Sequence, residues 1–176
     1  MRAKACITLL FVVSAVLDEI RISSVARNFS KWTTRYYSGF EAHGTLHGDA
    51  NIAADGRLNG SLVLDGDGDY VEIKDQPQLK LGSQDFSMRA FVKLDNLTGY
   101  QTIFSKWGAV AYYSYWLYSG PNGDIYFNYS ANGGNVYTLS ATGVLNMGAW
   151  QRVDVKRTGD TLSLLIDRAK QTSQSP

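Results

Sequence analysis

The sequence is poor in several things, and each shortage removes a class of protein. One cysteine, Cys6, and three prolines stand among 176 residues. A single thiol cannot close a disulfide within the chain, and Cys6 lacks the neighbours of a catalytic cysteine–histidine arrangement. Lys and Arg number 17 against 16 Asp and Glu, a net charge of +1, and neither sign gathers in a run. The basic field of a nucleic-acid binder is therefore missing. The apolar run Ala5–Val13 is far shorter than the roughly 20 residues needed to span a bilayer, so no membrane span is expected. No serine elbow and no phosphate-binding glycine loop occurs. After residue 60 no stretch keeps a helical period.

What is present reads as β-structure. Seventeen glycines punctuate a chain with 11 Tyr, 7 Phe and 4 Trp, and hydrophobic residues make up 44%, enough for a packed core. From Ser61 onward short alternating segments follow one another. They are Ser61–Asp65, Tyr70–Ile73, Phe86–Leu94, Gln101–Lys106, Tyr112–Tyr118, Asp124–Tyr129, Val136–Ala141, Trp150–Arg157 and Thr161–Arg168. In Phe86–Leu94, residues Phe86, Met88, Ala90, Val92 and Leu94 alternate against Ser87, Arg89, Phe91 and Lys93. The breaks, such as Gly120-Pro-Asn-Gly123 and Asn132-Gly-Gly-Asn135, are turn chemistry that tolerates positive φ. Many short antiparallel strands at this spacing imply a sandwich or barrel.

The first 15 residues have two readings. Arg2 and Lys4, the apolar run and the small residues Val13-Ser14-Ala15 have the layout of a secretory signal peptide cleaved after Ala15. β-Branched Ile7, Thr8, Val12 and Val13 would equally suit an extra N-terminal strand.

Two clusters carry candidate chemistry. Asp65-Gly-Asp-Gly-Asp69 is the densest group of carboxylates, suited to a hard cation such as Ca2+. It is not an EF-hand loop, because Tyr70 replaces the required glycine and Gln76 the bidentate glutamate. A polar hairpin turn is the plainer reading of the same residues. Trp107, Tyr112, Tyr113, Tyr115, Trp116 and Tyr118 form the aromatic concentration. Tyr112, Trp116 and Tyr118 share one strand face and Tyr113, Tyr115 and Leu117 the other, so some rings face solvent. Exposed rings can stack on sugars, and Trp107, Tyr112, Tyr113, Tyr115 and Trp116 are the candidate contacts; a tyrosine-rich core is the alternative. Trp150 is expected in the core. His43 and His47 have no third ligand for zinc. The glycosylation sequons at Asn28, Asn59, Asn96 and Asn128 bear only on a eukaryotic secretory context.

Several blocks in order resemble the laminin-G-like, concanavalin-A-like jelly-roll domains of the lectin/glucanase superfamily, over about residues 43–167. They are His43–Ala50, Leu62–Ile73, Phe86–Val92 (with Phe91 where the family commonly has tryptophan), Thr102–Lys106 and Gly148–Val155. The resemblance implies an all-β, two-sheet antiparallel jelly-roll β-sandwich over residues 43–176. It also exposes two departures. The family's closing block reads here as Leu17-Asp-Glu-Ile-Arg-Ile22, at the front of the chain, within an N-terminal strand and linker spanning residues 16–42. The chain stops at Gln171–Pro176, short of the closing strands, and Arg168 replaces a turn glycine. The ends thus read as permuted, truncated or a fragment of a tandem array, with the N-terminal strand filling the closing slot of the same sandwich as the favoured arrangement.

The resemblance adds Asp18 to Asp65, Asp67 and Asp69 as ligands of a structural Ca2+. Related glucanases carry paired carboxylates on such a strand. Here Asp18 shares a face with Ile20 and Ile22, and Glu19 with Arg21, so the facing pair of a retaining glycosidase is not formed. The expectation is a secreted or cell-surface, non-catalytic module binding carbohydrate or glycoprotein. The alternative is a structural or protein-interaction module that self-associates by strand exchange.

Overall fold

The computed structural model describes residues 14–23, 44–53, 61–75, 77–108 and 113–174. In chain order the strands are β1 (Ser14–Ser23), β2 (Gly44–His47), β3 (Asn51–Ala53), β4 (Ser61–Asp65), β5 (Tyr70–Ile73), β6 (Phe86–Leu94) and β7 (Gln101–Lys106). They continue with β8 (Tyr115–Ser119), β9 (Ile125–Tyr129), β10 (Tyr137–Ala141), β11 (Gln151–Thr158), β12 (Thr161–Ile166) and β13 (Ala169–Gln174). A single turn of 3-10 helix, Pro77–Leu79, and a tight turn at Pro121–Gly123, where Asn122 has φ 61°, are the other elements among the described residues.

Every strand pairing is antiparallel. Seven strands form one sheet in the order β13-β12-β11-β6-β1-β4-β3, four form the other as β10-β9-β8-β7, and β2 and β5 make a short ribbon. This is the all-β, two-sheet sandwich of the jelly-roll class. β1 lies in the middle of the larger sheet, with Leu17 opposite Leu62 of β4 on one side and Val92 of β6 on the other. Its register with β6 shifts by one residue between Asp18 and Arg21, a β-bulge. Ser14 and Ala15, the last residues of the expected leader, are the first two of β1, opposite Asp65 and Leu64. Residues 1–13 lie outside the described residues.

Alternation builds the core. Phe86, Met88, Ala90, Val92 and Leu94 of β6 turn inward beside Val153 and Val155 of β11 and Leu162 and Leu164 of β12, all buried. Phe104, Tyr115, Leu117, Phe127 and Leu139 meet them from the smaller sheet. Phe86 joins the layers, its ring 6.4 Å from Phe127 and 5.4 Å from Tyr129.

Three expectations are corrected. Trp150 is half-buried just before β11 and not a core residue. The Asp65–Asp69 turn is not a hairpin, because β4 and β5 belong to different sheets and the turn carries the chain between them. The chain does not stop after β12 either: β13 returns along it from the two-residue turn Asp167-Arg168. Both turn residues have positive φ, 48° and 76°, as a type I′ hairpin requires, so arginine occupies a backbone conformation that favours glycine. Asp167 anchors the turn: its Oδ1 accepts the Arg152 N–H at 2.9 Å, and its own N–H donates to the Arg152 carbonyl at 2.8 Å.

Candidate functional site

The first candidate is an acidic corner where β2 and β3 meet the β4–β5 turn. Asp49, Asp65 and Asp69 each place one carboxylate oxygen within 4.8 Å of the others. Asp69 is buried, and both its oxygens are held: Oδ1 accepts the Asp49 N–H at 2.8 Å and Oδ2 the Asp65 N–H at 3.0 Å. The approach is close because residue 48 is glycine at φ 71°; a Cβ there would run into Asp69 Oδ1. The Asp65 N–H, ahead of the other donors, holds the Asp69 carboxyl below its ordinary pKa. Asp49 is pushed above its ordinary value, first by its contact with the Asp69 carboxyl and then by the charges of Asp65 and Asp69. A divalent cation would relieve that repulsion.

Only part of the expected metal set is brought together. Asp65 and Asp69 meet; Asp67 does not join them, for it is exposed and contributes its backbone N–H to Asp65 Oδ1 at 2.7 Å. Asp18 stands opposite Phe91 of β6, four residues along β1 from the position facing Asp65. At about 3.3 Å per residue that sets the backbone of Asp18 about 13 Å along the strand from this corner. Asp49 takes the vacant role. Of the two histidines, His43 lies outside the described residues, while His47 stacks on Tyr70 at 4.3 Å and its Nε2 lies 3.3 Å from Glu72 Oε2.

The second candidate is the outward face of the four-stranded sheet. Strand register places two rows there: Thr102, Tyr118, Tyr126 and Ser140, then Ser105, Trp116, Asn128 and Thr138. The rings are continuous. Trp107 stacks on Tyr113 at 4.5 Å and lies 6.4 Å from Trp116; Trp116 meets Tyr118 at 4.3 Å, and Tyr118 stacks on Tyr126 at 5.1 Å. Tyr100, 70% exposed, sits against both Tyr118 and Tyr126. Polar contacts fix the array: Trp116 Nε1 donates to Thr102 Oγ1 at 3.0 Å, and the Tyr126 hydroxyl to Asp124 Oδ2 at 3.0 Å. Burial first, with the Tyr100 charge adding to it, raises the Tyr118 phenol above its usual pKa, and hydrogen bonding to Asp124 does so for Tyr126. Both therefore stay neutral at physiological pH.

Of the expected sugar contacts, Trp107, Tyr113 and Trp116 belong to this array. Tyr115 does not: it is fully buried against Phe104, and burial drives its phenol pKa far upward. Tyr112 lies outside the described residues. Tyr100 and Tyr126 were missed, because only the pairing of β8 with β7 on one side and with β9 on the other brings them beside Tyr118. The alternation Tyr126-x-Asn128 on a strand beside another with outward rings was the available signal.

A family model described as the concanavalin A-like lectin/glucanases superfamily matches residues 65–175. No curated protein and no solved structure matches the chain.

Proposed function

The chain belongs to the concanavalin A-like lectin/glucanases superfamily, and from that membership we propose that it is a non-catalytic, extracellular carbohydrate-binding module. The observation that carries this reading is the continuous run of six rings, Trp107 to Tyr126 with Tyr100, on the open face of the smaller sheet. Rings held at fixed positions offer large contact area with little side-chain entropy left to lose, and sugars present C–H faces that match them. The test is a glycan and polysaccharide panel with the wild-type chain and Trp116→Ala. Binding that Trp116→Ala weakens by about tenfold or more supports the reading; the absence of any glycan ligand overturns it.

The acidic corner fits a structural role for Ca2+, held by Asp49, Asp65 and Asp69 with further oxygens from water or backbone. Its chemistry there is neutralisation: it would tie the β2–β3 segment to the β4–β5 turn. A calcium-dependent rise in Tm, reversed by chelator and lost in Asp65→Asn, is the expected result. Protein interaction through β13 is the second reading, favoured by the exposure of that edge strand. Concentration-dependent association without any glycan ligand would support it.

A further inference from the structure

The ring stack ends at Tyr126, and its end has a shape. Tyr126 and Tyr118 are cross-strand partners with centroids 5.1 Å apart and planes 14° from parallel. Rings lying flat on the sheet could not approach so closely side by side, so these two stand upright and face each other across the strands. One face of Tyr126 is thereby covered. The other looks toward β10, where its partner is Ser140, with Thr138 two residues along; both are small and exposed. The result is a step: an aromatic wall beside a floor of hydroxyls.

The wall is held rigidly. Tyr118 backs it, Asp124 accepts its hydroxyl, and the Gly143 N–H holds Asp124 Oδ1 at 2.9 Å. Gly120 lies under the ring edge, where a Cβ would come within 2.6 Å of Tyr126 Cε2. None of the eight outward positions of this sheet carries a charge, and the group at the rim, Asp124, is an acid. An anionic ligand would meet no cation among these residues and one carboxylate, whereas a neutral polyol meets hydroxyls, an amide and rings.

We propose that the Tyr126–Ser140 step seats one pyranose ring of a neutral polysaccharide, its C–H face against Tyr126 and its hydroxyls over Ser140 and Thr138. This rests on the carbohydrate-binding reading above and assigns it a ligand class and a subsite.

The experiment titrates soluble neutral polysaccharides (a glucan, a mannan and a xylan) and anionic ones (heparin and polygalacturonate) into the wild-type chain and two variants. Ser140→Trp fills the step without removing a core group, and Tyr126→Ala removes its wall. The expected result is binding of a neutral polymer that is unchanged over a roughly tenfold range of salt, since no ion pairs form. Both variants should weaken it by about tenfold or more while Tm stays near that of wild type. Wild-type affinity in a folded Ser140→Trp, with binding still lost in Trp116→Ala, overturns the step and leaves the lectin reading standing. Salt-sensitive binding of the anionic polymers alone overturns the ligand class. No binding to any polymer overturns the lectin reading and the step with it.

Discussion

The two sheets turn very different faces outward. On the smaller sheet the outward residues are rings, hydroxyls and an amide, and Thr138 and Ser140 stand exposed. On the larger sheet the register of β6 with β11 points Arg89, Arg152 and Asp154 away from the core, and all three are nevertheless buried. Arg89 Nε and Arg152 Nε both donate to Asp154, to Oδ1 and Oδ2 respectively. Charge is thus concentrated where solvent is excluded, and neutral surface where it is admitted. That inversion separates a face that holds the fold from one free to bind. Buried charges demand fixed partners and tolerate no exchange, whereas uncharged rings and hydroxyls can trade water for a ligand at little cost.

The comparison breaks most visibly at Asp154. Asp154→Ala leaves two buried guanidinium groups without the carboxylate they share and should cost about 3–5 kcal/mol in urea unfolding, with glycan affinity intact in the folded fraction. Trp116→Ala should do the reverse, lowering glycan affinity about tenfold or more while stability changes little, because the ring is only half-buried. A glycan affinity that follows Asp154 and ignores Trp116 would reverse the assignment of the two faces.

Smaller effects sharpen it. Arg168→Gly relieves a positive φ on the hairpin into β13, an edge of the larger sheet, and should add about 0.5–1 kcal/mol, or roughly 2 °C in Tm. The acidic corner belongs to neither outward face and titrates with two signs. Asp69 has a depressed folded pKa, so its contribution is complete above the ordinary carboxylate pKa of about 4 and is lost as pH falls through the folded value. Asp49 has a raised folded pKa, so its charge opposes folding above that value, and acid removes the opposition. Without calcium, Asp49→Asn should therefore raise Tm at pH 7, and the gain should vanish toward about pH 3–4; a thermal-shift series across pH reads both.

Much of this arrangement is legible in the residues themselves. Phe86–Leu94 alternates so regularly that its bounds and its inward face follow directly, and Asp-Gly turns mark where β4 and β5 separate. The core side of β8 also follows from period two, once one asks which of Tyr115 and Trp116 shares a face with Leu117. Pairing across strands is what remained hidden. Asp49 reaches Asp69 only because β2 pairs with β5 and Gly48 lets the backbones close, a contact 20 residues apart in sequence. Phe91, expected to point outward, does so and is still buried, since alternation tells the face of a residue and not what lies over it. β13 escaped notice because Ala169–Gln174 is polar and exposed, with no apolar alternation to announce it.

The position of β1 has a consequence in time. The ribosome delivers Ala15 long before Leu94, the residue opposite it on β6, and β1 cannot gain both its neighbours until β4 and β6 have emerged. The middle of the larger sheet is thus assembled from its most widely separated segments. Closing so long a loop delays the reward of pairing, so this sandwich should fold slowly, with β1 docking late in the order of events.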